Sequence, residues 1–324
     1  MTPDLERSID AAARALTLGE LVAFPTETVY GLGADAEREA AVRRIFEVKG
    51  RPSSHPLIVH VDGPRWLEGL AREVPKVAWQ LAERFWPGPL TLILPRSERV
   101  PLAVTGGQPT VGIRVPSHPV ALALLRAFGR GVAAPSANRF GRLSPTSAEH
   151  VREDLGSEVA HILDGGACEV GVESTIVDLS RAEPRLLRPG GVSREALEQV
   201  LGRRLIHEAV GPVRVPGQLP SHYAPRAELV ICGASELAPR VEALRARGAR
   251  IGVLAEERIV VPEVARRIVA PADASSFARS LYASLRELDS ASVDVILVAP
   301  PSSAGLGLAV IDRLTRAAAP RPAS

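Results

Sequence analysis

The sequence predicts an α/β protein of two domains, and three observations predict it. Short apolar runs bounded by glycine and proline alternate with stretches whose apolar residues recur at helical spacing. The 324 residues exceed what one hydrophobic core ordinarily serves. Between about Leu205 and Arg226 the chain is punctuated by Pro212, Pro216, Pro220 and Pro225 and has no apolar period, as a linker does. The expected division is residues 1–205, a linker over 206–227, and a smaller α/β domain over 228–324.

The elements follow in order. Leu5, Ile9, Ala12 and Leu16 mark a helix that Gly19 stops, and Leu21–Phe24 reads as a strand. That strand runs into Pro25-Thr-Glu-Thr-Val-Tyr-Gly-Leu-Gly33, a turn with two threonine hydroxyls, a carboxylate and a tyrosine. This is more hydrogen-bonding chemistry than a connector needs, and Gly31 and Gly33 allow positive φ or close backbone approach. Val42, Ile45 and Phe46 mark a helix over about 37–48, with Lys49 and Arg51 on either side of its Gly50 stop. Those cations either complement the helix dipole or meet a phosphate. The arginine-rich chain holds just two lysines, Lys49 and Lys76, which favours the phosphate.

In Leu57-Ile-Val-His-Val61 the alternation sets Ile58 and His60 opposite the other three. The Val74–Phe85 helix breaks at Trp86-Pro-Gly-Pro89, before a buried strand over Leu90–Leu94. In Thr110-Val-Gly-Ile-Arg-Val115 one face carries Thr110, Gly112 and Arg114, and the glycine leaves that face open for a ligand. A guanidinium there suits a carboxylate or phosphate, which its planar fork binds in bidentate fashion. A helix through Val120, Leu124 and Phe128 leads to a strand ending in Pro135-Ser-Ala-Asn138, then a loop with Ser144. Asp164-Gly-Gly166, Glu173-Ser-Thr-Ile-Val-Asp178 and Leu186-Leu-Arg-Pro-Gly-Gly191 repeat the theme of hydroxyls, glycine or arginine where a strand stops. Ser221-His-Tyr-Ala-Pro225 is oddly specific for a linker. Beyond it, strands at Leu229–Cys232, Ile251–Ala255 and Val293–Ala299 alternate with helices through Leu237 and Leu244, through Phe277 and Leu288, and from Leu306.

Composition bounds the function. Hydrophobic content of 46% with 23% charge describes a globular protein, and a net charge of +2 is too small to imply a nucleic-acid or membrane partner. Cys168 and Cys232 are too few for a disulfide framework or a thiolate metal site. No apolar run approaches the roughly 20 residues of a membrane span, and the mixed-charge N-terminus is no secretion signal, so a cytoplasmic location is expected. There is no P-loop, no metal-ligand spacing and no nucleophile elbow. Gly31-Leu-Gly33 with Ala36 matches a dinucleotide fingerprint, but no acidic residue follows about 20 positions on to hold a ribose, which argues against a dehydrogenase. What remains is Lys49, Arg51, Arg114 and Arg188 among Thr28, Thr110, Ser136, Ser144 and Ser174. Cations and hydroxyls without a nucleophile suit a reaction whose substrates supply the nucleophile, such as adenylyl or phosphoryl transfer. The residues alone therefore point to an enzyme binding anionic substrates.

FPTETVYGLG, KGRP, PLIVHV, WPGPLTLIL, TVGIRVP, APSAN, GVESTIVD and LLRPGG occur here in one order, followed by HYAP and GLGLAVIDRLTRAA. In these motifs the chain resembles the YrdC-domain family in its long form, the threonylcarbamoyl-AMP synthases. About residues 8–205 resemble the catalytic domain and the rest the long-form extension.

The resemblance implies a twisted open mixed sheet with a concave basic cleft and a smaller Rossmann-like C-terminal domain. It implies that ATP, L-threonine and bicarbonate give threonylcarbamoyl-AMP and pyrophosphate. The product would serve modification of the adenosine beside the anticodon in tRNA, through a separate transferase complex. Mg2+ would accompany ATP, with no tightly bound cofactor and no metal ligands in the protein. Carried over by motif, Thr28, His60, Arg114 and Ser174 would hold threonine. Lys49, Arg51, His55, Thr110, Ala134, Ser136, Asn138, Ser144, Arg188 and Tyr223 would surround ATP, with Lys49, Arg51 and Arg114 in the catalytic role. Tyr223 would make the linker a lid. The sequence departs from the family pattern at His55, where asparagine is equally expected, and at Asp312, where asparagine is more usual.

Two other readings compete. An RNA-binding module is disfavoured by an aromatic content of 4%. A carbamoyltransferase of the hydrogenase-maturation type would carry zinc-finger and kinase-like parts that are missing here.

Overall fold

The computed structural model describes residues 2–208, 211–219 and 221–320. The chain divides into one compact unit of Met1–Phe140 with Ser144–Gln218, and a second of Gly141–Leu143 with Leu219–Ser324.

The first unit is built on a mixed sheet. Among the described residues its strands are β1 (Val22–Phe24), β2 (Gly31–Asp35), β3 (Ile58–His60), β4 (Leu90–Pro95), β5 (Thr110–Arg114), β6 (Val132–Ala134), β7 (His161–Ile162), β8 (Thr175–Asp178), β9 (Arg185–Arg188) and β10 (Ile206–His207). Across the sheet they run β10-β9-β8-β4-β5-β3-β6-β2-β1-β7. The pairs β10–β9, β8–β4, β5–β3 and β1–β7 are parallel and the rest antiparallel.

Alternation along the strands makes two cores. Leu32, Val59, Leu92, Ile113 and Val177 face the larger, which the helices Glu39–Lys49, Lys76–Phe85, Ala148–Leu155 and Arg194–Leu201 cover. On the opposite face, Val22, Phe24, Val132 and Ala134 pack against the helices Pro3–Leu18 and Pro119–Phe128. Further along that face, Ile58, Ile93, Ile176 and Leu187 meet Val213 and Val215. The chain over 211–218 is thus seated on the sheet. Gln108 reads its backbone twice, accepting from Arg214 N–H at 2.7 Å and donating to Arg214 O at 2.9 Å.

Caps explain the helix ends. Thr2 accepts the Leu5 N–H, and Gly19 closes the first helix at φ 87°. Ser147 and Ser193 cap the Ala148–Leu155 and Arg194–Leu201 helices through the His150 and Ala196 N–H groups. Neither of those helices was anticipated, although a serine ahead of an acidic first turn is a legible start signal. One expectation is corrected. Gly31 and Gly33 do not end a turn; they lie in strand β2. A Cβ on Gly33 would stand 2.7 Å from Val132 Cγ1 and 2.9 Å from a Phe24 ring carbon, so these glycines admit the aromatic ring of the neighbouring strand.

The second unit is a parallel sheet of β11 (Glu228–Ile231), β12 (Ile251–Glu256), β13 (Arg266–Ala270) and β14 (Val295–Val298), in the order β11-β14-β12-β13. The helices Ala234–Arg245, Ala274–Ser290 and Gly307–Ala318 complete it. Strand β13 was not anticipated: it begins with two arginines at the sheet edge, where partial exposure hides a buried-strand pattern. No helix among the described residues is long and apolar enough to cross a membrane.

Gln108→Ala should lower stability by about 1–2 kcal/mol, the usual size for lost buried hydrogen bonds. It should also speed tryptic cleavage after Arg214. Unchanged cleavage would mean that Val213 and Val215 hold the segment unaided.

Candidate active site

Strands β3 and β5 set the site's register. His60 lies beside Arg114 and Ile58 beside Gly112. On β6, Ala134 pairs with Ile58 from the other side. Thr110 and Arg114 share a face but stand four residues apart, which is about 13 Å along a strand. Gly112 does not leave this face bare, contrary to the sequence reading. A Cβ there would meet Ile93 Cδ1 at 3.1 Å, Thr91 Cγ2 at 3.3 Å and Ile58 Cγ1 at 3.5 Å. The missing side chain makes room for these neighbours.

The Arg114 guanidinium is buried and its donors are largely committed. Nη2 donates to Glu27 Oε1 at 2.7 Å and to Thr28 Oγ1 at 2.9 Å, while Nε reaches Gly88 O at 3.4 Å. Nη1 makes no hydrogen bond among the described residues. Thr28 in turn meets Thr26 Oγ1 at 2.8 Å, and Thr26 donates to Val29 O at 2.6 Å. The second Glu27 oxygen accepts the Ser117 N–H at 3.1 Å. Glu27 was noted in the turn but given no role. Its partner lies 87 residues away, beyond any local pattern.

Ser174 stands in a second network. Its hydroxyl is 2.8 Å from Thr91 Oγ1 and accepts from Arg188 Nη2 at 3.1 Å. Arg188 also donates to the Ser174 carbonyl from Nε at 3.1 Å and Nη2 at 2.9 Å, and from Nη1 to Pro216 O at 2.8 Å. Ser144 donates to Glu173 Oε1 at 2.6 Å. Gly190 packs where a Cβ would come within 2.3 Å of Glu173 O, so the RPGG turn lies directly on the peptide before Ser174. Arg188 and Ser144 are thus tied to the Glu173–Ser174 stretch.

Lys49 holds the Ser136–Asn138 loop, and Arg51 lies close by in sequence. Buried Lys49 donates from Nζ to Ser136 O at 2.6 Å and to Asn138 O. The loop's other edge joins the turn after β1 and the start of β2: Ala137 N–H donates to Tyr30 O at 2.8 Å, and Leu32 N–H to Pro135 O at 2.8 Å. Arg51 donates to Pro56 O at 3.1 Å and lies 5.5 Å from the centroid of the Phe140 ring, which His55 meets edge-on at 5.4 Å. Burial, then the charge of Arg51, hold the Lys49 ammonium well below the usual lysine range. The same two causes, with Arg214 third, push the His55 imidazole down.

Tyr223 belongs to the second unit. It is buried at φ 61°, with the His222 ring centroid at 4.2 Å, Tyr282 at 5.9 Å and the Arg313 guanidinium at 5.3 Å. Asp312, the departure from the family pattern, pairs there with Arg313 at 2.5 Å and Arg316 at 3.1 Å.

Among the described residues no group of three or more His, Cys, Asp or Glu could hold a metal. His60 is buried beside Arg114, and burial first, then that charge, depress its imidazole to about 3. It is therefore neutral at physiological pH, with Nδ1 3.2 Å from Ile58 O. Between pH about 6.5 and about 3 the unfolded chain takes up a proton that the folded chain refuses. Stability should therefore fall with pH there, at no more than about 1.4 kcal/mol per unit from this group, and should not depend on it above pH 6.5. In urea unfolding, the cost of His60→Asn should accordingly be smaller at pH 4.5 than at pH 7. An equal cost at both would contradict a neutral buried imidazole.

With this geometry in hand, comparison with known proteins is informative. A family model named for Sua5, YciO and YrdC and described as telomere recombination matches residues 14–190. A second, described as the threonylcarbamoyl-AMP synthase C-terminal domain, matches residues 192–319. The chain is 46% identical to the threonylcarbamoyl-AMP synthase of Pyrococcus abyssi, over 96% of this chain and 94% of that one. It is 44% identical to that of Bacillus subtilis, over 97% and 93%. The crystal structure of P. abyssi Sua5 complexed with L-threonine superposes at a TM-score of 0.93, with 45% identity over 97% of this chain and 94% of that one. Escherichia coli YciO, at 28% identity and a TM-score of 0.51, covers 57% of this chain and 90% of its own. By these matches along nearly its whole length, the chain belongs to the threonylcarbamoyl-AMP synthase family.

Proposed function

We propose that the protein is an L-threonylcarbamoyladenylate synthase, converting ATP, L-threonine and bicarbonate to threonylcarbamoyl-AMP, pyrophosphate and water. The observation that carries this reading is Arg114. It is a buried guanidinium with one nitrogen that has no partner among the described residues, beside the Thr28 hydroxyl and the neutral His60. That arrangement suits a small zwitterion whose carboxylate meets the cation. The complex of the P. abyssi relative with L-threonine supports the same ligand.

The chemistry follows from what the groups can do. The threonine amine captures bicarbonate as a carbamate, with loss of water. The carbamate oxygen then attacks the α-phosphorus of ATP, and pyrophosphate leaves. Mg2+ enters on the nucleotide, since Mg2+ is commonly bound through substrate phosphates and waters. Arg114, Thr28, His60 and Ser174 hold threonine in this scheme, while Lys49, Arg51, His55, Ser136 and Asn138 line the phosphate side. Thr110, Ala134, Ser144 and Arg188 complete the nucleotide surroundings, and Tyr223 is assigned to the nucleotide by its motif. The roughly 13 Å between Thr110 and Arg114 fits a ligand as long as an amino acid joined to a nucleotide. No side chain is required as nucleophile or base, and catalysis rests on positioning and charge neutralisation. The product is consumed in modifying the adenosine beside the tRNA anticodon by a separate transferase complex, in the cytoplasm.

Pyrophosphate release by the purified protein should require ATP, L-threonine and bicarbonate together, with the adenylate detected by mass. Arg114→Ala should reduce turnover at least 100-fold. Release that ignores threonine would overturn the assignment of the threonine site. Salt-sensitive tRNA binding without any release would instead favour an RNA-binding module.

A further inference from the structure

Glu27 is a buried carboxylate to which the mechanism gives no task. A buried ion pair is a poor source of stability, because desolvating two charges offsets their attraction. Its geometry nevertheless does something specific to Arg114. Both Nη2 hydrogens are committed, to Glu27 Oε1 at 2.7 Å and Thr28 Oγ1 at 2.9 Å, and Nε lies against Gly88 O at 3.4 Å. Neither two-nitrogen edge of the guanidinium is therefore open, so the bidentate grip expected from the sequence cannot form without displacing Glu27 or Thr28. What remains is Nη1, offered end-on. Glu27 cannot drift, because Oε2 accepts the Ser117 N–H at 3.1 Å and its own carbonyl accepts the Val170 N–H at 2.8 Å. It ties the turn after β1 to the backbone just beyond β5 and to the segment before β8.

We propose that Glu27 is the positioning residue for Arg114: it turns the guanidinium so that Nη1 alone meets the amino-acid carboxylate, and so sets affinity for that substrate. The assignment rests on the threonine reading above. Glutamine cannot replace it in this geometry, because Arg114 and Ser117 donate to different carboxylate oxygens and glutamine sets an NH2 donor against one of them. Aspartate keeps the charge and both acceptors but withdraws them by one methylene.

Calorimetry of the full chain separates this from a structural role. Glu27→Gln should weaken L-threonine binding at least tenfold and leave ATP binding within twofold. Glu27→Asp, which keeps the negative charge and guards against misfolding of the first variant, should weaken threonine at least threefold. Combined with Arg114→Gln, Glu27→Gln should add nothing, because its effect passes through the guanidinium. Threonine affinity within twofold of wild type in both variants would overturn the proposal. So would an equal loss of ATP binding, or losses that multiply in the double variant. A wild-type protein that binds ATP but not threonine would overturn the threonine reading and this assignment with it.

Discussion

Burying positive charge is the constraint on which the site depends. Lys49, Arg51, Arg114 and Arg188 are each less than 8% exposed, and a cation removed from water must be met by oxygen or by another charge. The protein meets them differently. Arg114 has a carboxylate. Lys49 has the carbonyls of Ser136 and Asn138, with the charge of Asp154 a lesser favourable influence. Carbonyl dipoles hold an ammonium in place without cancelling its charge, which is why burial and Arg51 depress it so far. The two halves of the site thus differ electrostatically: Arg114 is paired with a carboxylate, whereas Lys49 is held by carbonyls and its charged form is disfavoured by burial and by Arg51.

These cations also organise the backbone. Lys49 ends its helix and holds the Ser136–Asn138 loop, whose other edge is bonded to Tyr30 and Leu32. Arg188 spans from Ser174 to Pro216 and links a strand end to the segment over 211–218. A residue that looks available for a substrate in the sequence is, in the fold, often already employed as a strut. The two roles are compatible, since a lysine has three donors and an arginine five. A ligand then meets a group whose direction is preset.

The strand patterns were readable because their period is local. Alternation in Leu57–Val61 and Thr110–Val115 correctly assigned His60, Arg114 and Thr110 to one face and the valines to the other. Two-residue strands such as His161–Ile162 and Ile206–His207 have no period to read and exist only as partners of β1 and β9. Gly31, Gly33 and Gly112 show the limit within a motif. Each was marked as special, but whether it served a turn, a ligand or a neighbour depended on Phe24, Ile93 and Thr91, which other strands supply.

By itself, the sequence determined the alternating architecture, the parallel second sheet's helices and three of its four strands, and the motif order that identifies the family. These rest on periodicity, punctuation and residue type, all of which are local along the chain. Only the tertiary structure decided which donors are spent and which remain. The Glu27–Arg114 pair, the Ser174–Arg188–Pro216 chain and the Lys49 contacts join residues 14 to 89 positions apart. Hydrogen bonds saturate, so a guanidinium's usefulness to a ligand depends on its other partners. That count becomes visible when the strands are brought side by side.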